Sequence, residues 1–156
     1  MFSKTAYLTA NELAQELTIL GAEVLLTRPE DEFIPLGSRV SFTNTMDADV
    51  FLSLHYNSVP ELPDVTGVET YYYHEQNKAL ATYVQREIIK ETEADNRGTT
   101  HENLFVTRQS FKPSLLLELG FISNAEKESL LNTNAYQKKL VTGIVNGLRT
   151  YFANSK

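Results

Sequence analysis

Apolar residues recur along this chain with two different periods, and the longer period indicates helices. Apolar side chains spaced three or four residues apart share one face of a helix. The first such segment ends near Gly21, a residue type that commonly terminates helices, and further segments follow at 36–46 and 75–93. The pattern near the end of the chain predicts a short helix at Ala125–Leu131 and a long final helix. The residues expected to face inward are Ala6, Ala10, Leu13, Leu17 and Leu20, then Leu36, Val40 and Thr43, then Leu80, Val84 and Ile88, and finally Leu140, Ile144 and Leu148.

Short apolar runs bounded by polar residues, Gly or Pro indicate strands. The predicted strands are EVLLTR at 23–28, ADVFLSLH at 48–55, GVETYYY at 67–73, NLFVTR at 103–108 and SLLLEL at 114–119. Strands that alternate with helices are typical of the α/β class. The continuous apolar runs VFLSL and SLLL favour the centre of a mostly parallel sheet that has helices on both faces. We therefore expect one α/β domain over residues 1–156.

Composition and charge exclude several classes of function. A chain of 156 residues can form one core, and its net charge of −6 argues against binding to a nucleic-acid backbone. There is no cysteine, so a metal would have to be bound by His, Asp or Glu, and the histidines are His55, His74 and His101. No stretch approaches the roughly 18 consecutive apolar residues of a membrane span. The opening MFSKTAYLTANELAQEL lacks the features of a signal peptide and looks like the interior of a helix, so we expect the chain to start inside a domain.

Two titratable residues end strands that are predicted for the centre of the sheet. His55 closes VFLSLH, and Glu118 lies near the end of SLLLEL. Because ligands bind beyond the carboxyl ends of strands in open α/β sheets, we expect both side chains to open into one crevice. A structural role is the alternative, with His55 as a satisfied edge histidine and Glu118 as the ion-pair partner of Arg39 or Arg108.

The segments around these two residues resemble a known family. The segments are LLTRPEDEFIPLGSR, FTNTMDADVFLSLHYNS, GVETYYY, NRGTTHENLFVTR and SLLLELGFISNAEKESL. In this order and spacing they resemble the zinc-dependent N-acetylmuramoyl-L-alanine amidases. These cell-wall hydrolases cut the amide bond between the lactyl group of muramic acid and the first alanine of the peptide stem. The resemblance implies peptidoglycan as the substrate, one zinc ion as the cofactor, and an extracellular or cell-wall location.

The resemblance also implies roles for two residues. The histidine of the family's S-[IL]-H-x-N segment is a zinc ligand, which implies this role for His55 in SLHYN. The glutamate of the E-x-G-F segment is the catalytic acid or base, which implies this role for Glu118 in ELGF. In such hydrolases the metal activates a water molecule and polarises the carbonyl, and a nearby carboxylate moves the protons. A nearby cation is expected to set the charge of Glu118.

The family's other zinc ligands are not found in this sequence. A D-x-G-H-G-G loop would precede residue 1, and the glutamate ligand aligns at about Phe2. Catalytic zinc takes three protein ligands, of which the chain retains His55, while His74 and His101 are expected to be solvated loop residues. We therefore expect an N-terminally truncated amidase domain with an incomplete zinc site. The loss of a central strand would also expose a sheet edge through which the chain could self-associate.

Two other functions are compatible with the same residues. One is a non-catalytic wall-binding or regulatory domain, whose binding would be unchanged by Glu118→Ala. The other is metal-free hydrolysis by paired carboxylates, for which Glu69 in GVET is the obvious second acid on a strand. Arg39, Asn44 and Asp49 match family positions, but helix capping and ion pairing explain them equally well.

Overall fold

The helices lie where the apolar periodicity predicts them, and three of the predicted strands are confirmed. The structure is a computed structural model that describes residues 4–28, 30 and 33–155. Its helices are α1 (Lys4–Ile19), α2 (Leu36–Thr45), α3 (Lys78–Thr92, after a 3-10 turn at Glu75–Asn77), α4 (Phe105–Arg108), α5 (Ala125–Leu131) and α6 (Asn134–Asn154). Its strands are β1 (Phe51–Asn57), β2 (Val68–Tyr72), β3 (Asn96–His101) and β4 (Ser114–Phe121).

The strands form one mixed sheet in the order β1-β4-β2-β3. β1 is parallel to β4 and β2 is parallel to β3, while β2 and β4 are antiparallel. The predicted α/β fold with a mostly parallel sheet is therefore confirmed, with one antiparallel pairing in the middle of the sheet. Because β2 and β4 are antiparallel, the carboxyl ends of β1 and β4 lie at one end of the sheet, and the carboxyl ends of β2 and β3 lie at the other end.

Helices cover both faces of the sheet, as expected. The larger core lies between one face and helices α1, α3 and α6, and its fully buried side chains include Leu80, Val84, Ile88, Leu115, Leu117, Leu119, Leu140 and Ile144. On the other face α2 and α4 cover a smaller cluster of Val40, Phe51, Val106 and Leu116. Since side chains alternate between the two faces of a strand, the small-cluster face of β4 continues from Leu116 to Glu118. The candidate site therefore lies on the side of the smaller cluster.

Helices α3 and α6 approach each other very closely through glycines of α6. A Cβ atom added at Gly143 would lie 2.6 Å from Ile88 Cα, and one added at Gly147 would lie 2.5 Å from Val84 Cα. Any larger residue would force the helices apart, since protein interiors are close-packed. This contact fixes α6 against the sheet.

Two strand predictions are wrong. Residues 23–28 are irregular, and within the described part of the chain they have no neighbouring strand to complete a hydrogen-bonded ladder. Residues 105–108 are helical, with Val106 buried and Phe105 exposed, and the true strand β3 comes earlier, in the polar sequence NRGTTH. β3 is at the edge of the sheet, where few apolar residues are needed, so it lacks the apolar signal of a central strand.

The outer edge of β1 faces an open cavity. Residues 20–28, α1 and β1 line this cavity, whose volume is about 1120 Å³. Among the described residues no strand pairs with that edge of β1. The inward positions predicted for Leu20 and Leu36 are wrong, because 53% and 42% of their surfaces are exposed. In the described part of the chain, no helix has the length and apolarity needed to cross a membrane.

Candidate active site

The structure places His55 and Glu118 side by side. They are register partners in the parallel pair β1–β4, so their side chains leave the same face of the sheet. Both lie near the carboxyl ends of their strands, which is where α/β sheets bind ligands. The geometry thus brings together the two residues that the sequence singled out, and their chemical roles stay predictions.

The Glu118 carboxyl is partly buried, and no described residue forms an ion pair with it. Its Oε2 atom is buried and has no hydrogen-bond partner among the described residues. Burial, together with the nearby Glu69 carboxylate, raises the pKa of Glu118 to about 7. The proposed ion pairs are not formed, since Arg39 Nε donates to the Ile34 carbonyl at 2.8 Å and Arg108 donates to Asn103 at 2.5 Å. The expectation that Arg39 or Arg108 pairs with Glu118 is therefore wrong. Burial and Glu69, rather than a cation of the described residues, account for the shifted pKa of Glu118.

His55 is held as a neutral imidazole. Its Nε2 atom lies 2.8 Å from Ser53 Oγ, two residues earlier on the same face of β1. Burial, with a smaller contribution from the charge of Arg39, lowers the pKa of His55 to about 4. The neutral form is the one that binds metals. Because Nε2 contacts Ser53, Nδ1 is the ring nitrogen that remains for another partner.

Glu69 completes a row of titratable residues across three strands. It is the antiparallel register partner of Glu118, so the second acid suggested by the sequence is adjacent to the first. Tyr71 donates to Glu69 Oε1 at 2.8 Å, and Thr100 donates to Glu69 Oε2 at 2.6 Å. Arg97 Nε lies 3.7 Å from Glu69 Oε1. Both oxygens of Glu69 are thus occupied, which fits a supporting role better than a role in proton transfer.

The other two histidines lie away from this site. His101 is the last residue of β3, and His74 follows β2. Both therefore lie at the end of the sheet opposite to the end where Glu118 lies. The Tyr73 ring lies next to both, with centroid distances of 5.0 Å to His74 and 5.5 Å to His101. Both histidines are thus separated from His55. The expectation that His101 lies in a loop is wrong, because it is the last residue of β3.

The described residues do not make up the zinc site that the resemblance implies. Within 4–28, 30 and 33–155, no three His, Asp or Glu side chains are grouped so that they could bind a metal ion. His55 is the one predicted ligand in this part of the chain, and Phe2, where the missing glutamate aligns, lies outside the described residues.

Other residues that match the family have structural contacts. Asn44 joins α2 to the segment before β4, donating to the Gln109 carbonyl at 3.1 Å and accepting from the Phe111 amide at 2.9 Å. Asn57 accepts the Ser58 amide at 2.8 Å, which is a turn contact. The sequence reasoning missed Ser53 and Arg97. For Ser53 the signal was available, because residues two apart on a strand share a face.

The site combines a partly buried carboxyl, which has no ion-pair partner in the described part of the chain, with a neutral imidazole at the carboxyl ends of adjacent parallel strands. These are features of an acid–base enzyme. Comparison with known proteins identifies the kind. The family model for N-acetylmuramoyl-L-alanine amidase matches residues 3–150, so this chain belongs to that family. The predicted family resemblance is confirmed.

Individual relatives agree with this assignment. The probable cell wall amidase LytH of Staphylococcus aureus is 37% identical over 145 residues, which cover 93% of this chain and 48% of LytH. The chain therefore spans about half the length of that relative. The catalytic domain of the amidase CwlV from Bacillus (Paenibacillus) polymyxa var. colistinus superimposes with a TM-score of 0.88 at 33% identity, covering 94% of this chain and 82% of that one. The amidase AmiC2 of Nostoc punctiforme gives a TM-score of 0.88 at 34% identity, with the same coverage.

Proposed function

We propose that this chain hydrolyses the amide bond between N-acetylmuramic acid and L-alanine in peptidoglycan. Family membership supports the choice of bond. The observation that carries the proposal is the Glu118 carboxyl, which lies beside His55 and has a buried oxygen without a hydrogen-bond partner among the described residues. With a pKa of about 7, this carboxyl is close to the ideal for accepting and returning a proton at neutral pH.

Glu118 moves two protons in the proposed reaction. It accepts a proton from the attacking water as the water oxygen bonds to the lactyl carbonyl carbon. It then donates a proton to the alanine nitrogen as the carbon–nitrogen bond breaks, which leaves a lactyl carboxyl group and a free peptide amine. Glu69, fixed by Tyr71 and Thr100, keeps a second carboxylate next to Glu118 and favours its protonated form.

Zinc is the cofactor expected from the family, and His55 is the residue we expect to bind it. The described residues supply this one ligand of the three that a catalytic zinc site takes. The chemistry assigned to this chain therefore rests on Glu118. We further propose that the protein is secreted and acts in the cell wall, where its relative LytH is named as a probable amidase.

Release of stem peptides from purified peptidoglycan tests this function. The chain is assayed with added zinc and with EDTA, next to Glu118→Gln and the control Glu75→Gln, an exposed residue at the opposite edge of the sheet. We expect Glu118→Gln to lose about 10²–10⁴ of the rate, the usual contribution of an acid–base group, and Glu75→Gln to keep it. Equal rates for all three proteins would remove Glu118 from the reaction.

A non-catalytic wall-binding domain is the second candidate, and one observation favours it: the described residues contain no metal-binding group. This candidate predicts that the chain sediments with peptidoglycan, releases no peptide under any metal condition, and binds equally well after Glu118→Ala. Binding together with Glu118-dependent release would instead identify the enzyme.

A further inference from the structure

Arg97 occupies a fixed position beside the acid–base site. It lies on β3, and its guanidinium is held between the Glu69 carboxylate and the ring of Phe121. The distance from Arg97 Cζ to the Phe121 ring centroid is 5.3 Å, within the range of a cation–π contact. Phe121 ends β4, the strand that carries Glu118. About 43% of the Arg97 side chain remains accessible to solvent.

The backbone beneath Arg97 leaves space for its aliphatic stem. A Cβ atom added at Gly67 would lie 2.8 Å from Arg97 Cγ and 2.9 Å from its Cδ, and Gly67 has a φ of +118°. Only glycine adopts this conformation readily, and only glycine lets the stem pass so close. Gly67, Glu69 and Phe121 thus limit the directions that the guanidinium can take.

The Arg97 guanidinium still has donors to offer. In the described part of the chain it donates no hydrogen bond, and its ion pair with Glu69 is 3.7 Å long, beyond hydrogen-bond distance. A guanidinium carries five N–H donors in a flat fork that matches a carboxylate. Glu69 does not depend on this arginine, because Tyr71 and Thr100 already donate to its two oxygens.

The charge of Arg97 lies close to the reacting group. Burial is the main reason that the pKa of Tyr71 rises to about 12; Glu69 and Glu118 raise it further, and Arg97 opposes them. The pKa of the Tyr71 phenol is therefore affected by the charges of Glu69, Glu118 and Arg97. Glu69, the partner of Arg97, is also the register neighbour of Glu118.

We propose that Arg97 binds a carboxylate of the peptide stem, and this inference rests on the proposed amidase function. The glycan strand is neutral once the lactyl carboxyl group is in the amide bond, so the anionic groups of the substrate belong to the peptide. A cation on the β2–β3 side of Glu118 therefore orients the substrate. The peptide lies toward β3, and the glycan lies on the side of β1 and His55.

Arg39 is the alternative cation and lies on the other side of the site. Its charge acts on His55, and its Nε donates to the Ile34 carbonyl. If Arg39 bound the peptide carboxylate, the substrate would lie in the reverse direction. The two arginines therefore make opposite predictions.

Binding of two matched ligands tests the proposal without requiring catalysis. The ligands are N-acetylmuramoyl-L-alanyl-D-glutamate with free carboxylates and the same compound with both carboxyl groups amidated. Isothermal titration calorimetry gives their affinities for the chain and for Arg97→Gln, Arg97→Lys and Arg39→Gln. Arg86→Gln serves as the control, because Arg86 is an exposed arginine on α3. Circular dichroism checks that each variant is folded.

The chain is expected to prefer the free carboxylates by about tenfold or more, as for a charge-assisted fork worth at least about 1.4 kcal/mol. Arg97→Gln should abolish this preference, Arg97→Lys should keep only part of it, and Arg39→Gln and Arg86→Gln should retain it. Equal affinity of the chain for the two ligands overturns the proposal, as does a preference that survives Arg97→Gln or disappears in Arg39→Gln. If the chain neither binds nor cleaves either ligand, the proposed function fails and this inference fails with it.

Discussion

The raised pKa of Glu118 predicts a pH dependence of stability that can be measured without substrate. In the unfolded chain this carboxyl titrates near 4.5, whereas in the folded chain it titrates near 7. Because the folded pKa is the higher one, the stability that this carboxyl contributes is fully present below pH 4.5 and is lost as the pH rises through 7. The difference between the two pKa values therefore lowers the free energy of unfolding at pH 8 by about 3 kcal/mol relative to its value at low pH.

The perturbation is Glu118→Gln, which keeps the shape of the side chain and removes its charge. Urea unfolding, followed by far-UV circular dichroism in EDTA at several pH values between 4.5 and 8.5, gives the free energy of unfolding of both proteins. Relative to the variant, the unsubstituted chain should lose about 3 kcal/mol between the two ends of this range.

The pH slope is more informative than the absolute stability, because a buried glutamine amide has its own cost when it lacks partners. The titration of His55, whose folded pKa is about 4, affects both proteins and cancels in the comparison. Glu75→Gln, an exposed substitution, should follow the unsubstituted chain. Parallel curves for the chain and Glu118→Gln would show that the carboxyl is solvated, and the reasoning about its burial would be refuted.

Three further predictions follow from packing, hydrogen bonding and the sheet edge. Gly143→Ala places a methyl group 2.6 Å from Ile88 Cα and should lower the free energy of unfolding by about 1–3 kcal/mol. The control Gly37→Ala, whose methyl group would have nothing within 4 Å, should not lower it. Equal urea midpoints for the two variants would contradict this prediction. Ser53→Ala removes the partner of His55 Nε2 and should shift the ring ¹⁵N resonances of His55 but not those of His74; unchanged His55 resonances would argue against the contact. No strand within the described residues pairs with the outer edge of β1, so we expect the chain to self-associate through this edge. Sedimentation velocity should then show a mass that rises with concentration, and a constant monomer mass would oppose this.

The sequence predicted the parts of the fold that depend on apolar burial. The continuous run SLLL and the helical row Leu140, Ile144 and Leu148 are fully or almost fully buried in the structure. These signals are strong because burial on both sides of a strand, or along one face of a helix, dictates residue type directly. The same signals located His55 and Glu118 near the carboxyl ends of adjacent strands. The central position predicted for VFLSL is wrong among the described residues, where β1 is the outermost strand of the sheet.

The errors come from segments where burial does not choose the residues. NRGTTH forms an edge strand without an apolar pattern, so β3 was not predicted, and Arg97 and Thr100 were missed with it. EVLLTR has the composition of a strand, yet strand formation requires a neighbour, which its own sequence cannot specify. The predicted ion pair between Glu118 and an arginine was also wrong. The residue opposite Glu118 is Glu69, and the antiparallel register that places it there is a property of the whole sheet.

The central claim is that Glu118 drives hydrolysis of the bond between muramic acid and alanine. Mass spectrometry of peptidoglycan digested in ¹⁸O-labelled water tests it most directly, because the new oxygen marks the bond that was cut. The account predicts released peptides that begin with alanine, one ¹⁸O atom in the lactyl carboxyl group, and neither product after Glu118→Gln. The ¹⁸O label in a sugar hydroxyl group or in the new carboxyl group of an amino acid would contradict the account. An undiminished yield of these products from Glu118→Gln would also contradict it.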